Sequence, residues 1–156
     1  MKQALILLVI LSLCLTGCGW KADAVVHNFT DLSIEIPEDY LDLSKESFAV
    51  DLDFIFGKDP ITVSGYAEEK EAFLEYGLKL ELQDYGELLM ASNKVESQLT
   101  EKNGIYCFTY AAGEFTYLVT LWETESSFWT VQAYCMTKEY SKVEDEIWKI
   151  LSSVTV

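Results

Sequence analysis

The sequence predicts an α+β domain in which an antiparallel β-sheet is covered by helices on both faces, an α/β/α sandwich. Three observations support this prediction. Residues 95–136 form a meander of alternating strands, both faces of that meander are apolar, and helical patterns precede and follow it in the chain. Because an antiparallel sheet with two apolar faces must be shielded from water on both sides, we expect the helices to cover it.

The N-terminus has the pattern of a bacterial lipoprotein signal. One cation, Lys2, precedes an apolar run over residues 4–15, which is shorter than the ~20 apolar residues needed to span a bilayer. Residues 15–18 read leucine, threonine, glycine and cysteine, the order of a lipobox. We therefore predict that residues 1–17 are removed and that Cys18 is the lipid attachment site. The alternative is a plain signal peptide with an incidental cysteine.

A tether is predicted over residues 18–28, followed by a single domain over 29–156. The first half of that domain shows short runs in which apolar residues alternate with polar ones. A turn over residues 57–60 joins the third run to the fourth, which makes them a hairpin. Four strands are expected here: 32–36, 40–43, 48–56 and 61–64.

Two helices are predicted in the middle of the chain. Acidic residues open the segment 68–77 and a glycine closes it, as is typical of a short helix. The next helix carries Gly86, which destabilises a helix interior by about 1 kcal/mol relative to alanine and therefore indicates a close crossing over the sheet. Its apolar stripe consists of Leu78, Leu82, Tyr85 and Leu89.

The second half of the chain predicts the meander and a closing helix over residues 140–151. Turn signals, of which Asn103-Gly104 is the strongest, separate strands over 95–99, 105–111, 115–123 and 127–136.

The strand register decides whether the two cysteines of the domain form a disulfide. It places Cys107 opposite Leu118 and Leu118 opposite Ala133, so Cys135 lies two strands from Cys107, about 9.5 Å away. The α-carbons of a disulfide lie within about 7 Å of each other. We therefore predict that both cysteines are free, buried thiols.

Composition excludes several classes of partner. The chain has 26 acidic and 11 basic residues, a formal net charge of −15, and no arginine. Phosphate groups are recognised chiefly by basic residues, so nucleic acid is not an expected partner and anionic lipid headgroups should repel the domain. Attachment to the outer face of the cell membrane is therefore expected to come from acyl chains alone.

The sequence shows no familiar catalytic or cofactor-binding constellation. His27 is the only histidine and falls in the predicted tether, so neither a Ser-His-Asp site nor a zinc site is expected. No cofactor is predicted. Oxygen ligands suit calcium, so Asp51, Asp53 and Asp59, which surround one predicted hairpin, are weak candidates for a cation site.

Aromatic residues are abundant, with four tryptophans, nine tyrosines and eight phenylalanines. Most are expected in the core. Tyr66, Tyr76 and Trp148 fall off the apolar stripes, so these three are the candidates for an exposed partner surface.

Three stretches carry a resemblance to a known family. Residues 34–40 form a strand that ends in proline shortly before Tyr40, residues 127–132 read Ser-Phe-Trp-Thr-Val-Gln, and residues 147–154 close the last helix. In these features the chain resembles the Mog1/PsbP-like family, whose members look like non-catalytic adaptors. The resemblance implies the same sandwich fold.

The function expected from these observations is that of a membrane-anchored, extracytoplasmic lipoprotein. Its domain would be a non-enzymatic binding or adaptor module for an envelope protein or a small ligand. One alternative is a carboxylate-based hydrolase of envelope polymers or polysaccharide, which requires a cleft holding two acids. Another is a surface protein whose acidity buffers cations.

Overall fold

The computed structural model describes residues 23–46, 49 and 51–156. The predicted signal segment, Cys18 and the first part of the tether lie outside the described residues. The strands are β1 (Ala24–Asn28), β2 (Ser33–Pro37), β3 (Leu41–Asp42), β4 (Phe54–Lys58), β5 (Ile61–Glu69), β6 (Thr100–Lys102), β7 (Ile105–Ala112), β8 (Phe115–Glu123) and β9 (Ser127–Met136). The helices are α1 (Lys70–Glu75), α2 (Leu82–Ser92) and α3 (Thr137–Leu151).

Seven strands form one antiparallel sheet in the order β3-β4-β5-β9-β8-β7-β6. The strands β1 and β2 pair separately as an antiparallel hairpin. Because β9 lies at the centre of the main sheet, between β5 and β8, all ten of its residues are buried or half-buried. The predicted α+β class is confirmed, with cover on both faces of the sheet.

One face of the sheet, called here the α3 face, is covered by α3 and the β1–β2 hairpin. Apolar side chains of both layers meet there in a continuous core. Its main members are Ile34, Ile36, Phe54, Val63, Leu118, Trp129, Val131, Ala133, Ile147 and Leu151. The C-terminus is joined to this layer as well, because Ser33 and Thr155 exchange backbone hydrogen bonds of 2.9 Å.

The opposite face, called here the α2 face, is covered by α1 and α2. Tyr85 and Met90 of α2 pack there on Phe108, Val119, Leu121 and Phe128 of the sheet. Gly86 allows the close approach that the sequence indicated: a Cβ at this position would lie 2.5 Å from Leu121 Cδ1. The helix therefore rests directly on β8.

Two predicted boundaries at the start of the chain are corrected. Residues 24–28, expected to be tether, form β1, in which Val25 lies opposite Ile36 and His27 opposite Ile34. The strand predicted over 48–56 begins only at Phe54, because Ala49 and Leu52 donate hydrogen bonds to carbonyls three residues earlier and so form turns.

The first helix and one hairpin register also differ from the prediction. Glu68 and Glu69 extend β5 by pairing with β9, so α1 begins at Lys70. Cys107 lies opposite Thr120 rather than Leu118, because the β7–β8 turn is centred one residue further along the chain. A shift of two residues keeps the same face, so both cysteines are free and buried, as predicted.

None of the helices in the described part of the chain is long and apolar enough to cross a membrane.

Candidate functional site

A groove of about 400 Å³ lies between the β1–β2 hairpin, the end of β4 and α3. We call it the hairpin groove. Ala24, Pro37 and Ile150 give it an apolar lining. The charged residues around it are Glu35, Asp39, Lys58, Asp145, Glu146 and Lys149. An apolar concavity with a few polar groups directed into it is the usual form of a ligand site in a protein of this size.

Two interactions fix the charged wall of the hairpin groove. Lys58 Nζ lies 2.5 Å from Asp39 Oδ2, and this hydrogen bond raises the pKa of the Lys58 ammonium. The Tyr40 hydroxyl donates to Glu146 Oε1 at 3.2 Å. Burial raises the pKa of Tyr40, and the negative charge of Glu146 raises it further, so Tyr40 stays a neutral donor.

The charge of the hairpin groove is negative. Asp39 and Lys58 compensate each other, whereas Glu35, Asp145 and Glu146 remain against Lys149 alone. Such a wall favours a cationic group and opposes phosphate or carboxylate ligands.

On the α2 face, three tyrosines form a row across the sheet, which we call the tyrosine row. Tyr110 lies opposite Tyr117, and Tyr117 lies opposite Tyr134. Both pairs of ring centroids are 4.8 Å apart, close to the spacing of neighbouring strands. Rings this close cannot lie side by side in one plane, so they are stacked with an offset.

A polar network lies beneath α2, on the same face of the sheet as the tyrosine row. The Tyr85 hydroxyl donates to Glu68 Oε2 at 2.7 Å and lies 2.8 Å from Thr130 Oγ1. Since Tyr85 has one proton, Thr130 must donate to the Tyr85 oxygen. Half-buried Tyr66 lines a cavity of about 180 Å³ beside this network, and burial raises the pKa of its hydroxyl. This arrangement fastens α2 to the sheet.

The three aspartates predicted as a weak cation site do not come together. Asp53 precedes β4 and accepts a hydrogen bond from the Ala67 backbone N–H at 2.8 Å. Asp59 follows the other end of β4, whose five residues span roughly 17 Å. Asp51 lies near Asp53 at an open surface. Among the described residues, no group of three or more histidine, cysteine or acidic side chains is arranged to hold a metal ion.

The three aromatic residues predicted as a partner surface also lie apart. Tyr76, just after α1, is 83% exposed, as expected. Trp148 packs against the core of the α3 face, with Lys102 Nζ 4.1 Å from its ring centroid. Tyr66 lies on the opposite side of the sheet. The structure therefore does not join these residues into one surface.

Where the pKa of a carboxyl group departs from its ordinary value, that pKa is lowered. A hydrogen bond from Ser44 lowers the pKa of Asp42, and one from Lys142 lowers that of Glu139. A general acid of a glycosidase needs the opposite shift. These two groups are therefore unsuited to that role.

Comparison with known proteins supports the architecture only. No protein-family model matches the chain, and no curated protein matches it. Among solved structures, it is similar to the solution structure of cyanobacterial PsbP (CyanoP) from Synechocystis sp. PCC 6803, with a TM-score of 0.59 and 14% sequence identity. The match covers 92% of this chain and 99% of CyanoP. The fold is PsbP-like.

Sequence reasoning missed the hairpin groove of this PsbP-like domain. Its walls come from the β1–β2 hairpin, the end of β4 and α3, which are far apart in the chain. The one local signal was the acidic pair Asp145-Glu146, which reads equally well as a solvated helix surface. The pairing of β1 with β2 builds the groove, and that pairing was not predicted.

Proposed function

We propose that this chain is a lipoprotein held at the outer face of the cell membrane through Cys18, and that its PsbP-like domain is a non-enzymatic binding module. The observation that supports binding is the hairpin groove, with its apolar lining and its excess of negative charge. The lipobox pattern at residues 15–18 supports the anchor.

The position of β1 links the anchor to the groove. Ala24 begins β1 and lines the hairpin groove. The six residue steps from Cys18 to Ala24 span at most roughly 20 Å. The lipid would therefore hold the groove close to the membrane surface, where it would meet envelope proteins.

The partner that fits the groove is a protein segment with a lysine or arginine side chain. The cation would lie against Glu35, Asp145 and Glu146, while the stem of its side chain packs on the apolar lining. A nucleic acid or an anionic lipid would meet unfavourable charge.

Site-specific photocrosslinking in intact cells tests the binding module. A benzophenone side chain at Ala24, an exposed and uncharged residue of the groove lining, should give a discrete adduct with an envelope protein. The same side chain at exposed Glu96, outside the groove, should not. Asp145→Lys should abolish the Ala24 adduct because it reverses a charge of the wall, whereas Glu96→Lys, a matched charge reversal elsewhere, should leave it. A groove that gives no adduct would contradict binding there.

The anchor has a separate test. Mass spectrometry of the N-terminal peptide from native membranes should show an acylated Cys18, and Cys18→Ser should release the chain from the membrane. An intact, unmodified N-terminus would contradict the anchor without affecting the groove.

A further inference from the structure

One outer edge of the main sheet is open. The edge strand β6 pairs with only three residues of β7, Ile105 to Cys107. Within the part of the chain that the structure describes, no strand lies on the outer side of the remaining part of β7, residues 108–112. At the opposite end of the sheet, β4 is covered by β3, and the Leu43 N–H continues the bonding to the Ile55 carbonyl at 2.9 Å.

The register identifies the backbone groups on this open edge. The two-residue turn Asn103-Gly104 makes Lys102 and Ile105 a hydrogen-bonded pair, so the backbone groups of Ile105 point away from β8. Along β7, successive residues then direct their backbone N–H and C=O groups alternately toward β8 and away from it. Cys107, Thr109 and Ala111 therefore direct their N–H and C=O groups away from β8. Cys107 faces β6, whereas Thr109 and Ala111 face solvent, and both are exposed.

This edge lacks the usual protection against pairing. Residues 108–112 read Phe-Thr-Tyr-Ala-Ala, with no charge and no proline, and their pairing with β8 is regular without a bulge. Exposed edges are normally blunted by lysine, proline or bulges. The segment is therefore competent to bind another strand.

We propose that the partner strand is the same segment of a second copy of this chain, paired antiparallel about a two-fold axis. Centring the axis at Tyr110 sets Thr109 of each copy opposite Ala111 of the other. Both outward-facing residues are then used, in two hydrogen-bonded pairs and four backbone bonds. The contact spans residues 108–112. It is bounded at one end by Cys107, which already pairs with β6, and at the other end by the β7–β8 turn.

Side chains and charge fit this arrangement. Tyr110 meets Tyr110 of the second copy, so the tyrosine row would continue across the interface at the strand spacing it already has. The paired segments carry no charge to repel one another. A two-fold axis that relates two antiparallel strands of one continuous sheet is perpendicular to that sheet. The β1–β2 hairpins of the two copies would therefore lie on the same face of the joined sheet. This inference is independent of the proposed function.

Cysteine substitution tests the register in the full-length chain. Tyr110→Cys places two thiols in a non-hydrogen-bonded cross-strand pair, at a separation suited to a disulfide. Mild oxidation should therefore yield a disulfide-linked dimer on a non-reducing gel. Tyr117→Cys, one strand further in, is the matched control. With Cys14 and Cys18 replaced by serine in every chain tested, this control and the chain without an added cysteine, whose Cys107 and Cys135 are buried, should remain monomeric. Equal crosslinking of both variants would overturn the proposal.

Analytical ultracentrifugation of the full-length chain in detergent gives an independent measurement. Ala111→Pro removes an N–H that points away from the sheet and breaks no hydrogen bond to β8, so it should leave thermal unfolding nearly unchanged. The same change removes two of the four backbone bonds between the copies, so it should weaken dimerisation by about tenfold or more. Added salt should strengthen the dimer, since each copy has a formal charge of −15. A wild-type chain that stays monomeric at all concentrations, or crosslinking of Tyr110→Cys to a different protein, would overturn the proposal.

Discussion

The Trp129 indole N–H donates to Asp31 Oδ1 at 2.7 Å, and this bond fastens the turn of the β1–β2 hairpin to the central strand of the main sheet. The hydroxyls of Thr124 and Ser126 donate to the other carboxylate oxygen at 2.5 and 3.2 Å. Burial acts to raise the pKa of Asp31, but the three hydrogen bonds outweigh it and hold that pKa below its usual range. Asp31 therefore orients the hairpin that forms one wall of the groove.

We expect Asp31→Ala to lower the free energy of unfolding by about 1–3 kcal/mol. The change removes three hydrogen bonds to a carboxylate and leaves the N–H of buried Trp129 without an acceptor. Chemical denaturation followed by tryptophan fluorescence measures the effect. Asp42→Ala is the matched control: among the described residues, the Asp42 carboxylate accepts hydrogen bonds only from exposed Ser44, two residues away, so the loss of this carboxylate should change stability little. Equal losses in the two variants would contradict the role given to Asp31.

The contribution of Asp31 to the free energy of unfolding should be lost at acid pH. Because the folded state lowers this pKa, the contribution is present above the unfolded value of about 3.9 and is lost as pH falls through the folded value. The asparagine introduced by Asp31→Asn cannot ionise, so the stability difference between wild type and this variant should shrink as the pH falls below about 5. A difference that is constant with pH would show that the charge of Asp31 is not involved.

Gly86→Ala should destabilise the domain even though alanine is the better helix former. The new Cβ would lie 2.5 Å from Leu121 Cδ1 and 2.9 Å from Leu99 Cδ2. Overpacking of this kind costs about 1–3 kcal/mol, against a propensity gain of about 1 kcal/mol. Thermal unfolding measures the balance. Ala91→Gly at an exposed position of α2 reports the propensity effect alone, and a stabilised Gly86→Ala variant would contradict close packing of α2 on β8.

Tyr85→Phe should lower stability by about 1–2 kcal/mol, because it removes the hydroxyl that joins α2 to Glu68 and Thr130. Tyr76→Phe is the matched control: Tyr76 is 83% exposed, so its stability should stay within about 0.5 kcal/mol of wild type. Urea unfolding compares the two. A Tyr85→Phe variant as stable as the Tyr76→Phe variant would contradict the bridging role.

The same tyrosine predicts sensitivity to alkali. Burial raises the pKa of Tyr85 above the unfolded value of about 10, so its contribution to stability is full below pH 10 and falls as pH rises further. The wild type should therefore lose stability above pH 10 more steeply than Tyr85→Phe. Stability measured in urea at several alkaline pH values checks the difference in slope.

Neither Cys107 nor Cys135 should react with a thiol reagent in the folded domain. They are 5% and 1% exposed, and burial raises the pKa of the Cys135 thiol, which disfavours the reactive thiolate. Both should react on unfolding, as mass spectrometry of the labelled peptides would show. Glu96→Cys supplies an exposed thiol that should react at once, and prompt labelling of Cys107 or Cys135 in the native state would contradict their burial.

Part of the main sheet was predictable because its sequence is locally consistent, whereas the strand predicted over 95–99 forms instead at Thr100–Lys102. The predicted bounds of the last two strands, 115–123 and 127–136, match β8 and β9. Apolar residues on both faces required helical cover, and that requirement gave the fold class. The register error at Cys107 did not alter this outcome, because side chains return to the same face every second residue.

The features that were missed depend on tertiary pairing. No alternation marks the segment Ala24–Asn28 as a strand, although two adjacent valines gave a weak signal; it forms β1 because Ser33–Pro37 lies alongside. Glu68 and Glu69 have the composition of a helix start but extend β5 because β9 offers partners. The hairpin groove depends on the first of these pairings, so no sequence pattern could reveal it.

The arrangement of β1 has a mechanical consequence. Tension applied through the residues before Asp23 would first break the hydrogen bond from the Glu38 N–H to the Asp23 carbonyl and would then separate β1 from β2 one pair after another, starting at Ala24–Pro37. Peeling the five residues of β1 would release roughly 17 Å of slack while the seven-stranded sheet stays intact. Since Ala24 lines the groove, a pull on the tether would dismantle that wall before it reached the main sheet.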